Sequence, residues 1–200
     1  MLFRSVAEGQ ESETAPTVAG FSDVLETAWY AGDVADIQKY GLINGHPDGT
    51  FRPQEKLTLA QAITLAARTH AQLSDKGDIQ NGSPWYQPYV DYAAENGLCD
   101  PGEFGTDYNS ECSRLAMAVL FQRAFPTDTE RVLNNVTTLP DVEDEGYGSS
   151  VFYLYRQGVL TGNDSAGTFK PDKSVSRAEA AAILNRVMDA EKRKSFSLEG

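Results

Sequence analysis

Gly41–Pro53 reads GLINGHPDGTFRP, and Gly158–Pro171 reads GVLTGNDSAGTFKP. The flanks of these two stretches repeat as well. Upstream, Phe21-Ser-Asp-Val is matched by Leu139-Pro-Asp-Val, and Trp29 by Tyr147, each aromatic falling six residues after its aspartate. Downstream, seven residues separate Phe51 from Thr58 and Phe169 from Ser176; then LTLAQAITLAAR ends at Arg68 and VSRAEAAAILNR ends at Arg186. A worn copy lies between them, with Trp85, ENGLCDPGEF and CSRLAMAVLFQR ending at Arg123. Repeats of roughly 50 residues stack so that each buries its apolar face on its neighbours. The boundaries read as a polar linker or disordered segment over 1–20, units over 21–70, 78–125 (degenerate) and 139–189, and a frayed tail over 190–200. One such unit alone buries too little surface for stability, so the three are expected to share one core.

Each unit reads helix, loop, helix. Val34 and Ile37, Val90, Ala93 and Ala94, and Val151, Leu154 and Tyr155 fall at helical spacing, and each run ends at a glycine: Gly41, Gly97 and Gly158. A glycine there predicts a left-handed C′ residue closing the helix. The loops that follow are rich in Asn, Asp and Gly, which is turn chemistry, and Phe51 and Phe169 are expected to plug the core beneath them. Ser176-Arg-Ala-Glu179 predicts a capping box and Thr58-Leu-Ala-Gln61 its neutral variant, while Ser113 caps without a reciprocal acid. Behind the caps run alanine-rich stripes: Leu59, Ala62, Ile63 and Ala66; Leu115, Ala118 and Val119; Ala180, Ile183, Leu184 and Val187. The fold class is therefore all-α, with the three second helices meeting as a central three-helix bundle and the shorter helices outside.

A formal charge of −12 argues against nucleic acid, whose phosphates demand clustered Lys and Arg. No stretch approaches the roughly 18 apolar residues of a membrane span, and the amino end lacks the charged, apolar and small-residue order of a signal peptide. The two cysteines, Cys99 and Cys112, bracket the loop of the middle unit. In an oxidising compartment a bond between them would close a loop of about 14 residues, worth roughly 3 kcal/mol in the chain-entropy picture. In a reducing compartment they are two buried thiols. No metal or other cofactor is expected: the loops at Asn44 and Asn163 have neither the alternating acids nor the bidentate Glu of a calcium loop. Asp23 and Asp141 read instead as acceptors for backbone amides. His46 and His70 stand without a nucleophile motif, so catalysis is not expected. The glycosylation triplets starting at Asn81, Asn135 and Asn163 read as coincidences.

Taken in order, F-S-D-V, the aromatic, G-L-I-N-G, D-G-T-F-R-P and S-R-A-E resemble the S-layer homology family, over residues 21 to about 189. The resemblance implies a pseudo-threefold prong of three units. It implies secretion and non-covalent attachment to the bacterial cell envelope, through an acidic secondary cell-wall polysaccharide, often bearing ketal-linked pyruvate, in grooves between units. A larger polypeptide carrying the module is also implied. On these residues the ligand contacts are expected at Arg177 and Arg114 for a carboxylate, where free helix-start amides also favour an anion. Trp29, Trp85 and Tyr147 are expected to offer ring faces, and Gly45 and Gly162 close backbone approach. Leu59 stands where the family arginine belongs, so fewer than three equivalent sites are expected. The rival reading is a protein–protein assembly module of a surface layer, whose grooves pack on copies of itself without glycan.

Overall fold

The computed structural model describes residues 17–125 and 132–199. Among them are six α-helices and no strand longer than a single bridge: α1 Ala31–Lys39, α2 Leu59–Leu73, α3 Gln87–Glu95, α4 Arg114–Ala124, α5 Gly148–Arg156 and α6 Arg177–Met188. The fold is all-α. Local chemistry accounts for the starts of the long helices and the stops of the short ones. Thr58 and Ser176 form capping boxes with Gln61 and Glu179, and Ser113 accepts from the Ala116 amide alone. Gly41, Gly97 and Gly158 have φ of +70°, +70° and +73°, the left-handed turn that stops each short helix.

The expected stripes face inward. Val34, Ile37, Val90, Ala93, Val151, Leu154 and Tyr155 are buried, as are Ala62, Ile63, Ala66, Ala118, Val119, Ala180, Leu184 and Val187, whereas Leu115 and Ala94 are only half-buried. Among the helices, α2 packs on α3 and on α4, α4 on α5, and α6 on α1, so a long helix repeatedly meets a short helix of the next unit.

At the amino ends of the long helices the units are tied by a closed ring of backbone hydrogen bonds. The Leu57 amide donates to Val175 (2.9 Å), the Val175 amide to Cys112 (3.2 Å), and the Cys112 amide to Leu57 (2.8 Å). Each of these buried residues sits just before a cap residue. The helices then give their first two amides to a neighbouring unit's loop: Leu59 and Ala60 to Ser110 and Tyr108, Arg114 and Leu115 to Lys173 and Pro171, Arg177 and Ala178 to Glu55 and Pro53, all at 2.9–3.0 Å. Helix-start donors normally lack intrahelical partners, and here carbonyls from another unit satisfy them.

Of the two alternatives left open for the cysteines the structure has the thiols, and two further expectations are corrected by this packing. Cys99 and Cys112 are free, buried thiols. Cys112 occupies the apolar ring position held by Leu57 and Val175, and its Sγ donates to the Ser113 carbonyl at 3.4 Å. The stretch 190–199 is no frayed tail: Asn134 holds the Lys194 carbonyl (2.9 Å) and the Phe196 amide (2.8 Å), and Phe196 and Leu198 pack on the core. Of the expected linker, residues 1–16 lie outside the described residues, while the Val18 amide donates to Val24 at 2.9 Å and Val18 and Ala19 pack on the core.

Candidate functional site

The loops that carry the repeated GTF triplet are built from an aspartate outward. Asp23 accepts the Phe51 and Arg52 amides, both at 2.7 Å; Asp141 accepts those of Phe169 and Lys170, at 2.9 and 2.6 Å. Arg52 and Lys170 have φ of +56° and +61°, an uncommon conformation for residues with a Cβ, and the carboxylate grip holds it. Phe51 and Phe169 are thereby pressed into the core, with 1% and 0% of their surface exposed.

Each of these phenylalanines is covered by an arginine from another unit. Arg177 Nε donates to the Phe51 carbonyl at 2.7 Å, its Nη2 to the Asn44 carbonyl at 2.9 Å, and its guanidinium lies 4.7 Å from the Phe51 ring centroid. Arg114 Nε donates to the Phe169 carbonyl at 2.7 Å, with the guanidinium 5.0 Å from that ring. Both arginines are more than nine-tenths buried. They differ in charge balance. Arg114 Nη1 stands 3.5 Å from Glu179 Oε1, an internal ion pair, whereas Arg177 has no carboxylate within 4.0 Å among the described residues. Burial pulls the Arg177 guanidinium below its ordinary value, with Glu55 opposing from longer range.

Arg177 lines a cavity of about 180 Å³ together with Trp85, Gln61, Asn44, Asn81 and Arg68. The cavity lies between the first two units, and it brings together two of the expected ligand residues, Arg177 and Trp85. Trp85 is 42% exposed and set edge-on to Tyr86 at 5.7 Å. A wider, polar cavity of about 670 Å³ adjoins it, sharing Leu42, Asn44, Arg68 and Asn81. Arg68 stands over the Tyr89 ring at 5.1 Å and donates to its hydroxyl at 2.9 Å. Its counterpart at the end of α4, Arg123, is instead gripped by both oxygens of Glu103 at 2.9 Å, which holds the Glu103 carboxyl below its usual range.

The remaining expected residues are placed as follows. Trp29 is 64% exposed and edge-on to Tyr30, and Tyr147 is 43% exposed, with Phe104 5.6 Å and the Arg123 guanidinium 6.0 Å from its ring. Neither joins the Arg177 cavity. The missing Cβ of Gly45 is explained inside the fold, since it would come within 2.1 Å of the Phe21 ring; at Gly162 it would meet the Gly167 backbone at 2.7 Å. The helix-start amides of Arg114 and Arg177, expected to be free for an anion, are taken by Lys173 and Glu55. Sequence reasoning did not assign Gln61, Arg68, Asn44 and Asn81 to the site. Gln61 was visible as a cap and Arg68 as a helix end repeated in Arg123 and Arg186, but only folding sets them around Arg177. No cluster of metal-ligating side chains occurs among the described residues, and no helix there is long and apolar enough to cross a membrane.

Comparison with known sequences agrees with the internal repeat. An S-layer protein of Bacillus thuringiensis subsp. finitimus is 26% identical over 185 residues, covering 90% of this chain and 22% of that protein. An endoglucanase of Bacillus sp. (strain KSM-635) is 24% identical over 200 residues, covering 94% of this chain and 20% of its own length. A cellulosome-anchoring protein of Acetivibrio thermocellus is 23% identical over 169 residues, covering 84% of this chain and 26% of that protein. The chain thus spans about a fifth to a quarter of the length of these relatives. The sequence profile described as the S-layer homology domain matches residues 20–63 and 139–181, the first and third of the repeated segments of this chain.

Proposed function

We propose that the chain is the anchoring piece of a larger cell-surface protein, located at the bacterial envelope, and that it holds the cell wall by gripping an acidic secondary polysaccharide in the groove between its first and second units. The observation that carries this reading is Arg177: a guanidinium 7% exposed, without a carboxylate partner among the described residues, in the wall of a cavity that also contains an exposed tryptophan. A buried cation without a counter-charge is costly, and a carboxylate arriving in the cavity would offset that cost. Two donors of Arg177 are fixed on the Phe51 and Asn44 carbonyls, so Nη1 is oriented before any ligand arrives. Charge-assisted hydrogen bonds of this kind contribute about 1.5–3 kcal/mol. Trp85 presents a flat apolar face to a sugar ring, while Gln61, Asn44 and Asn81 supply polar partners for hydroxyls. The acidic surface of the chain does not oppose this, because charges more than about 8 Å away are screened at physiological salt. Arg114, Trp29 and Tyr147 lie outside this cavity, and the reading does not depend on them. Nothing in this reading requires turnover, and the module acts by binding alone.

The test is sedimentation with wall sacculi before and after the secondary polysaccharide is stripped. The wild-type chain pellets with intact sacculi and stays in solution with stripped ones. Trp85→Ala, which removes an exposed side chain, lowers retention roughly tenfold, as expected for loss of about 1–1.5 kcal/mol of ring contact. Arg177→Ala abolishes retention, although it also frees two loop carbonyls. Equal pelleting with intact and stripped sacculi would overturn the proposal.

A further inference from the structure

The carboxylate paired with Arg114 comes from the third residue of α6, Glu179, whose Oε1 stands 3.5 Å from Arg114 Nη1 and also accepts from Lys173 Nζ at 3.1 Å, and whose side chain closes its own helix cap by accepting the Ser176 amide at 2.8 Å. Gln61 occupies the same place in α2: it closes the cap by accepting the Thr58 amide at 2.9 Å, and it lines the cavity beside Arg177. The two seams share one plan, although only Arg177 adds a bond to a second carbonyl, that of Asn44. In each, an arginine at the first position of one long helix covers a GTF phenylalanine and faces the capping residue of another long helix.

We infer that this capping residue decides which groove accepts an acidic ligand: Gln61 leaves Arg177 open to an outside carboxylate, and Glu179 closes the equivalent groove by putting a carboxylate of the chain itself on Arg114. This rests on the proposed binding of an acidic sugar and adds a specificity-determining position to it. At the third seam α2 begins with Leu59 and α4 has Ala116 at its third position, so that groove has neither the cation nor the acid. The chain therefore carries one anion-competent groove.

The two residues are interchangeable as caps, because each box is already present in the other form in this same chain. Exchange tests the groove without dismantling the helix. The probe is the methyl glycoside of a hexose carrying ketal-linked pyruvate, titrated calorimetrically beside its neutral parent sugar. The wild-type chain binds one equivalent of the acidic glycoside, at least tenfold more tightly than the neutral one. Gln61→Glu weakens the acidic glycoside roughly 10- to 100-fold, the range of one lost charge-assisted contact. Glu179→Gln raises the stoichiometry from one to two. If wild type binds and neither exchange alters stoichiometry or affinity, the gating role of these residues is wrong while acidic-sugar binding stands. If wild type binds neither the glycoside nor intact sacculi, the reading beneath it fails, and the inference falls with it.

Discussion

The seam where α6 meets the first unit and the seam where α2 meets the second are built on the same backbone plan and filled differently. At the first, Arg177 covers the buried Phe51 and bonds to its carbonyl; at the second, Leu59 stands at the helix start and the loop it meets has no GTF triplet. In the sequence these look like two separate departures, an arginine missing from one unit and a loop worn away in the next. Folding shows them to be the two halves of one contact, because where the arginine is present it serves the phenylalanine of another unit. The backbone ring persists at both seams: Leu59 and Ala60 still donate to Ser110 and Tyr108, as Arg177 and Ala178 do to Glu55 and Pro53. Main-chain hydrogen bonding thus holds the ring together irrespective of side chain, while the arginine–phenylalanine pair adds a cation where a groove needs one.

The largest expected effect that tests this contrast is on stability. Phe51→Ala empties a buried ring site and strips the cover from Arg177; urea unfolding is expected to show a loss of about 3–5 kcal/mol. Tyr108→Ala, at a half-buried aromatic of the α2 seam, is expected to lose only about 1 kcal/mol. Equal losses would mean that the two seams bear the same load. Acid gives a smaller effect and sharpens the comparison differently. Arg123 holds Glu103 below its ordinary 4.5 despite burial; at Glu179 burial acts upward, but bonds from Ser176 and Lys173 outweigh it, leaving that carboxyl low as well. Because both are depressed in the folded state, their stabilisation is complete above 4.5 and is lost as pH falls through the lower folded values. Thermal unfolding followed from about pH 5 to about pH 3 should fall, and Glu103→Gln should flatten part of that slope. Gln61 has no titrating group, so the cap facing Arg177 adds nothing to this slope. The smallest expected effect concerns the thiols. Burial pushes Cys99 up to about 11 and Cys112 up to about 12, so iodoacetamide near neutral pH should leave the folded chain unlabelled, and reductant should shift its melting point by less than about 1 °C. A labelled Cys112 would show that the ring opens.

Much of the local architecture was legible because it is written in contiguous residues. The capping boxes at Thr58 and Ser176, the left-handed glycines at 41, 97 and 158, and the aspartates that grip the GTF amides all follow from the donors and acceptors of a few neighbouring side chains. The site was legible in part. Arg177 and Trp85 were foreseen and lie in one cavity, yet Gln61 and Arg68, which complete it, carried no signal beyond their roles in α2. Gly45 and Gly162 looked like openings for a ligand and are filled by Phe21 and Gly167, contacts that no local pattern announces.

By itself, then, the sequence determined an all-helical chain of repeated segments, the starts of the long helices and stops of the short ones, and most of the apolar side chains that are buried. Capping, turn formation and apolar periodicity act over a few residues, so they can be read along the chain. Only the tertiary structure decided that the helix-start amides are satisfied by another unit, that Cys112 is an apolar member of the ring, and that Glu179 neutralises Arg114 while Gln61 leaves Arg177 uncompensated. Those outcomes depend on groups from 50 to more than 100 positions apart meeting within a few ångströms, and electrostatics at that range is fixed by the packing of the units on one another.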